Sequence, residues 1–108
     1  MCSYKTLKNN QHGYVIHCND CNHIQVAFGT FVLSVTIEEF DGMVRSATDM
    51  HTRYRRHPGN DRKIIHMPTI AKSIVMVFTI SELRTFLNLI IEGHRKLQYN
   101  QLFVFNEN

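Results

Sequence analysis

Cys18-Asn19-Asp20-Cys21 stands between two short apolar runs, Tyr14-Val15-Ile16-His17 and Ile24-Gln25-Val26-Ala27-Phe28. Runs of this length and composition read as strands, so the residues between them, which carry both cysteines, are confined to a tight corner. At such a corner both sulfurs can face one point about 2.3 Å away, the separation of zinc from a thiolate. His17 and His23 flank the pair. This stretch therefore restricts the fold and the chemistry together.

The pattern continues downstream in two similar halves. Gly29-Thr30 predicts the turn between the Ile24 to Phe28 strand and a strand over Phe31 to Val35. Val35-Thr36-Ile37-Glu38-Glu39-Phe40 then aligns with Phe78-Thr79-Ile80-Ser81-Glu82-Leu83, 43 residues on. In each copy a threonine precedes a glutamate by three positions, the signature of a capping box that opens a helix. Before the second box, Lys63-Ile64-Ile65-His66-Met67 and Ser73-Ile74-Val75-Met76-Val77-Phe78 read as two further strands.

The first helix is expected over residues 37–54, with Phe40, Val44, Ala47, His51 and Tyr54 on one face. The second is expected over residues 80–98, where Leu83, Phe86, Leu87, Ile90, Ile91, His94 and Leu97 form a wider stripe and Gly93 weakens the helix without ending it. The ungapped alignment also brings His51 onto His94, so the two could face each other across a pseudo-twofold axis as a small buried polar site, but a satisfied core or rim histidine is the preferred reading of each. Leu102-Phe103-Val104-Phe105 is expected to add an edge strand or to pack under a helix. The whole is an α+β arrangement: an antiparallel sheet with two amphipathic helices on one face, and a degenerate internal repeat of strand-strand-strand-helix and strand-strand-helix.

Length and composition set the outer bounds. With 108 residues and 44% hydrophobic content, one domain spanning residues 1–108 is expected. The start, Met1-Cys2-Ser3-Tyr4-Lys5, lacks the apolar run of a secretory signal, and no stretch approaches the roughly 20 apolar residues of a membrane span. A soluble cytoplasmic protein with no membrane partner is the expectation. Three cysteines cannot all pair within one chain, which favours metal binding over a structural disulfide.

A structural zinc ion takes four ligands, and the CxxC supplies two. Cys2 is the remaining thiol, brought into reach if an N-terminal strand or arm runs beside the corner. Side chains alternate along a strand, so His17 should point away from Cys18, and His23 is the preferred fourth ligand with His66 as a remote alternative. A second reading of the corner is thiol-disulfide redox chemistry, but such motifs place the first cysteine at a helix start, whereas these flanks read as strands.

Arg53, Tyr54, Arg55, Arg56, Arg62 and Lys63 form the basic pole of a chain of net charge +3. A tyrosine between arginines could hold phosphates and stack a base, which makes a nucleic-acid-binding module the alternative function; a solvated loop is the plainer reading. A third possibility is a protein partner or self-association through strand edges or the second helix. No nucleophile elbow, phosphate loop or Rossmann glycine pattern is present, so no enzyme activity and no catalytic residues are expected.

At Met1-Cys2, Cys18-Asn19-Asp20-Cys21, Ile24-Gln25-Val26-Ala27-Phe28-Gly29-Thr30 and Arg62-Lys63-Ile64-Ile65, the chain resembles a family of small uncharacterised proteins from Bacteroidota, a domain of unknown function. The resemblance spans nearly the whole chain and carries no assigned activity. It implies that Cys2 belongs with Cys18 and Cys21 in one site. The resulting expectation is a small zinc-binding protein that serves as an interaction or regulatory module.

Overall fold

In a computed structural model the chain is described over residues 3–57 and 61–107, with side chains up to residue 102. Four strands, β1 (Tyr4–Asn10), β2 (Gly13–Cys18), β3 (His23–Phe28) and β4 (Phe31–Thr36), form an antiparallel meander in chain order. Helix α1 (Ile37–Tyr54) follows directly. Strands β5 (Ile65–Pro68) and β6 (Val75–Phe78) pair as a separate antiparallel hairpin, and α2 (Ile80–Glu107) completes the described chain. This is the expected α+β class, with β1 as an additional strand.

Local chemistry accounts for most of these boundaries. Gly29 has φ +63°, a left-handed conformation that costs glycine nothing, and it turns β3 into β4. Thr36 Oγ1 accepts the Glu39 amide while Glu39 returns to the Thr36 amide, at 3.1 and 2.8 Å. Thr79 and Glu82 repeat the arrangement at α2, at 3.0 and 2.8 Å. Both predicted capping boxes are present, and each satisfies two amides that a helix start leaves open.

One hydrophobic core lies between the sheet, the hairpin and the helices. Val15, Ile24, Val26 and Val35 supply the sheet's inner face, Phe40 and Ala47 come from α1, Ile65, Met67, Met76 and Phe78 from the hairpin, and Leu83, Phe86, Leu89, Ile90 and Leu97 from α2. Phe28, Phe78 and Phe86 form an aromatic cluster with ring centroids 5.1–6.1 Å apart. Gly93 is the point of closest approach between α2 and the sheet: a Cβ placed there would lie 2.9 Å from Val15 Cβ. The glycine lets the helix settle on the strand.

The helices run antiparallel. His94 in the middle of α2 meets Asp41 near the start of α1, whereas Lys63, beyond the end of α1, meets Glu82 at the start of α2. This geometry removes the alternative of a site formed by the two aligned histidines. His94 Nε2 bonds Asp41 Oδ1 at 2.7 Å and packs against Phe40, while His51 lies ten residues, about 15 Å, further along α1. The two do not face each other, and His51 Nε2 is buried with no hydrogen-bond partner.

The tail differs too. The backbone of α2 continues helical to Glu107, so residues 102–105 form neither an edge strand nor a segment tucked beneath a helix. Four residues back from Asp41 reaches Ile37, and four on from His94 reaches Gln98, so the last turns of α2 extend past the start of α1. Leu102 is exposed there.

Candidate thiol site at the β2–β3 corner

The strand register decides which side chains share a face at the corner. Tyr4 pairs with Cys18, Cys18 with His23, and His23 with Thr36, forming one cross-strand row. Val15 faces α2 at Gly93, so His17, two residues on, shares that inward side and Cys18 lies on the other. The expected divergence of His17 from Cys18 is thus met. His17 Nε2 instead engages Asn22 Oδ1 at 2.8 Å. His23 stands directly opposite Cys18 in an antiparallel pair, where Cβ atoms lie about 4.5–5.5 Å apart.

The turn itself is sharp. Asn22 adopts φ +58° and its amide returns to the Cys18 carbonyl at 2.8 Å, while the Cys21 amide points at Cys18 Sγ across 3.5 Å. Asparagine tolerates the left-handed region better than other residues with a Cβ, which suits it to this position.

The N-terminal strand is fastened to the same corner. Ser3 N donates to Asp20 Oδ2 at 2.9 Å, and Asn19 N donates to Ser3 O at 3.1 Å. Nothing in the spacing of the motif singles out Asp20 for a structural role. The structure makes it a clasp for the chain end, a role visible only once β1 is known to pair with β2. Cys2, expected to join this site, lies outside the described residues.

The sulfurs themselves differ in state and access. Cys18 is 1% exposed and disulfide-bonded, contrary to the expectation that a structural disulfide was disfavoured. The odd number of thiols excluded complete pairing and said nothing against one bond. Cys21 is exposed. His23 Nδ1 lies 3.0 Å from the Cys21 carbonyl; a carbonyl only accepts, so Nδ1 carries the proton and Nε2 keeps its lone pair in the neutral ring. Cys21, Asn22, His23, Thr36, Ile37 and Glu38 line a recess of about 560 Å³ at the start of α1. Among the described residues, no three His, Cys, Asp or Glu side chains are gathered as a metal-binding group. His66 lies on β5, in the separate hairpin, and is not part of the corner.

Part of the basic segment is engaged within the fold. Arg53 pairs with Asp49 at 2.6 Å within α1, and Lys63 Nζ holds both carboxylate oxygens of Glu82 at 2.6 and 2.7 Å. The Lys63 ammonium, followed by the Thr79 amide, holds the Glu82 carboxyl below its ordinary range. Tyr54 is half-buried, packed against the core and beside the His57 ring. Arg55, Arg56 and Arg62 are exposed.

A second surface feature had no counterpart in the candidate sites. The outer face of the hairpin and its loop exposes Ile70, Ile74, Val75 and Val77, beside an open groove lined also by Phe28, Phe31 and Phe78. The alternation in Val75-Met76-Val77-Phe78 was readable, but a fully apolar run does not say which face is covered. Among the described residues, no helix is long and apolar enough to cross a membrane.

No curated protein and no solved structure matches the chain. The family comparison does: its matching model covers residues 1–107 and therefore includes the corner, the N-terminal clasp and both helices, so this chain belongs to DUF6686, a family of unknown function.

Proposed function

We propose that the β2–β3 corner is a structural zinc site in the reduced protein, with Cys2, Cys18, Cys21 and His23 as ligands, and that the protein serves as a small interaction module rather than an enzyme. The observation that supports this reading is the clasp of Ser3 onto Asn19 and Asp20, which fastens the start of β1 to the turn bearing Cys18 and Cys21. The register adds His23 on the same face as Cys18. Its ring donates through Nδ1 to a backbone carbonyl, the outer support that metal-ligating histidines commonly have, and leaves Nε2 to bind. Thiolate and imidazole donors are the usual set for structural zinc.

Four protein ligands would close the site and leave no position for a water nucleophile, so the metal stabilises and does not catalyse. Such a site would tie the start of β1 to the β2–β3 corner and to the N-terminus of α1. The exposed apolar face of the β5–β6 hairpin supports the interaction role, toward a protein partner or a second copy. The test is metal content of the full chain purified under reducing conditions without added metal. About one zinc per chain, lost in Cys21→Ser and reduced in His23→Ala, is expected. A metal-free native protein with its thiols reduced would refute the reading.

A further inference from the structure

The hairpin carries a strand edge that the fold leaves open. Among the described residues β6 pairs with β5 alone, and the groove walled by Phe28 and Phe31 runs along its other side. The pairing with β5 decides which backbone groups face that side. Thr69 N donates to Ile74 O at 3.3 Å, and Pro68, opposite Val75, has no N–H to give. Hydrogen-bonded and non-hydrogen-bonded pairs alternate along an antiparallel ladder, so Met67 with Met76 and Ile65 with Phe78 are the bonded pairs. The N–H and C=O groups of Val75 and Val77 therefore point away from β5, toward the open side.

Nothing along this edge discourages pairing. Edge strands are ordinarily blunted by charge, proline or a bulge. β1, the outer strand of the large sheet, carries Lys5 and Lys8 and an irregular register between Thr6 and Lys8. β6 reads Val-Met-Val-Phe, with Val75 47% and Val77 39% exposed and Ile74 exposed just before it. The two charged residues that line the groove, Lys63 and Glu82, bind each other, so the groove suits an uncharged, extended, apolar segment. β6 is itself such a segment.

We infer that β6 is a self-pairing edge, through which two copies of this chain form an isologous dimer with their β6 strands antiparallel. The inference rests on the interaction part of the proposed function and not on zinc. A strand set antiparallel to its own copy about a two-fold axis is self-complementary, because each copy presents the surface that the other needs. The outward backbone groups set the register. With Met76 on the axis, Val75 lies opposite Val77 of the second copy and Val77 opposite Val75 of the second copy, and each pair exchanges two hydrogen bonds. Every outward group of both valines is then satisfied. The exposed valines pack across the seam, and Ile74 of the second copy falls opposite Phe78, where Phe28 and Phe31 close the groove. Two hairpins become one four-stranded sheet, a more stable unit than two strands alone. A four-residue strand covers less than the roughly 800 Å² per partner of a standard interface, so the dimer is reversible.

Sedimentation equilibrium of the full chain over a range of concentrations, with amide hydrogen exchange on the same samples, tests this. Mass should rise from one chain to two, and the Val75 and Val77 amides should gain protection in step with it, while those of Met76 and Phe78, already bonded to β5, should be protected at every concentration. Val77→Lys changes an outward side chain and should weaken association by about tenfold or more by placing an unpaired charge in the seam, with circular dichroism unchanged. Val32→Lys, exposed on β4 outside the groove, should dimerise like the native chain. A native chain still monomeric at about 1 mM overturns self-pairing and leaves interaction with a different protein standing. A dimer that survives Val77→Lys, or one whose Val75 and Val77 amides exchange freely, overturns the β6 register. Metal content measured on the same samples judges the zinc site separately.

Discussion

Replacing Gly93 by alanine tests how α2 is seated on the sheet. In an ordinary helix interior the change gains about 1 kcal/mol, because glycine has the greater backbone freedom to lose. Here the added Cβ would lie 2.9 Å from Val15 Cβ and 3.0 Å from each Val15 methyl. Val15 is fully buried in β2 and paired on both sides, with Lys8 and Val26, so it cannot withdraw without moving the sheet. Rotation about χ1 does not relieve a contact made by Cβ itself. Overpacking of this kind costs typically 1–3 kcal/mol. A mid-range cost of about 2 kcal/mol against the gain of about 1 leaves a net loss of about 1 kcal/mol.

Urea denaturation followed by far-UV circular dichroism measures this, provided the m-value is unchanged. A double-mutant cycle isolates the contact. Val15→Ala alone leaves a cavity and costs about 2 kcal/mol. In that background Gly93→Ala has room for its methyl and should become neutral or stabilising, with a coupling above about 1 kcal/mol. If Gly93→Ala stabilises the native protein by about 1 kcal/mol, or if the two changes add, the close seating of α2 on β2 is refuted.

Other outcomes follow from the same geometry. Thr36→Ala and Thr79→Ala should each cost about 1 kcal/mol by the same urea assay, because each removes one side of a formed capping box. The Glu82 carboxyl titrates lower in the folded chain than in the unfolded one, chiefly through Lys63, so its contribution is present above about pH 4.3, its unfolded value, and is lost as pH falls through its folded value. Glu82→Gln, which can still cap, should therefore be less stable than the native protein at pH 7, with the gap closing below pH 4 in thermal melts; a gap independent of pH would contradict the ion pair. Within β6, Met76→Ala should cost about 2–5 kcal/mol and Val77→Thr no more than about 0.5, since Met76 is in the core and Val77 faces solvent. Equal costs would show that the hairpin's covered face has been misassigned.

Much of the candidate site was legible in the residues, and the part that was not depended on pairing. The corner, the Gly29 turn and the outward placement of Cys18 relative to His17 follow from composition and two-residue alternation. The clasp by Asp20 did not, because Ser3 and Asp20 are 17 residues apart and meet only when β1 joins the sheet. The disulfide at Cys18 was weighed against for a reason that concerned the number of cysteines, not their positions. The basic segment read as one pole because charges were counted along the chain, whereas Glu82, the partner of Lys63, lies 19 residues downstream.

What the sequence alone determined is what short-range physics determines. Threonine and glutamate three residues apart close a capping box within one turn, apolar β-branched runs form strands, and a 3.6-residue stripe makes a helix with one buried face. The tertiary structure decided the rest. β1 buries only Leu7 among its seven residues, too weak a hydrophobic pattern to announce a strand, and its place comes from hydrogen bonding to β2. Leu102-Phe103-Val104-Phe105 has strand-forming composition but continues α2, because extending a formed helix adds one hydrogen bond per residue, whereas joining a sheet edge would require the chain to leave the helix and reverse. The helices pack antiparallel and part the two histidines that the repeat had aligned, since equivalent positions in sequence become neighbours only where the packing of whole elements brings them together.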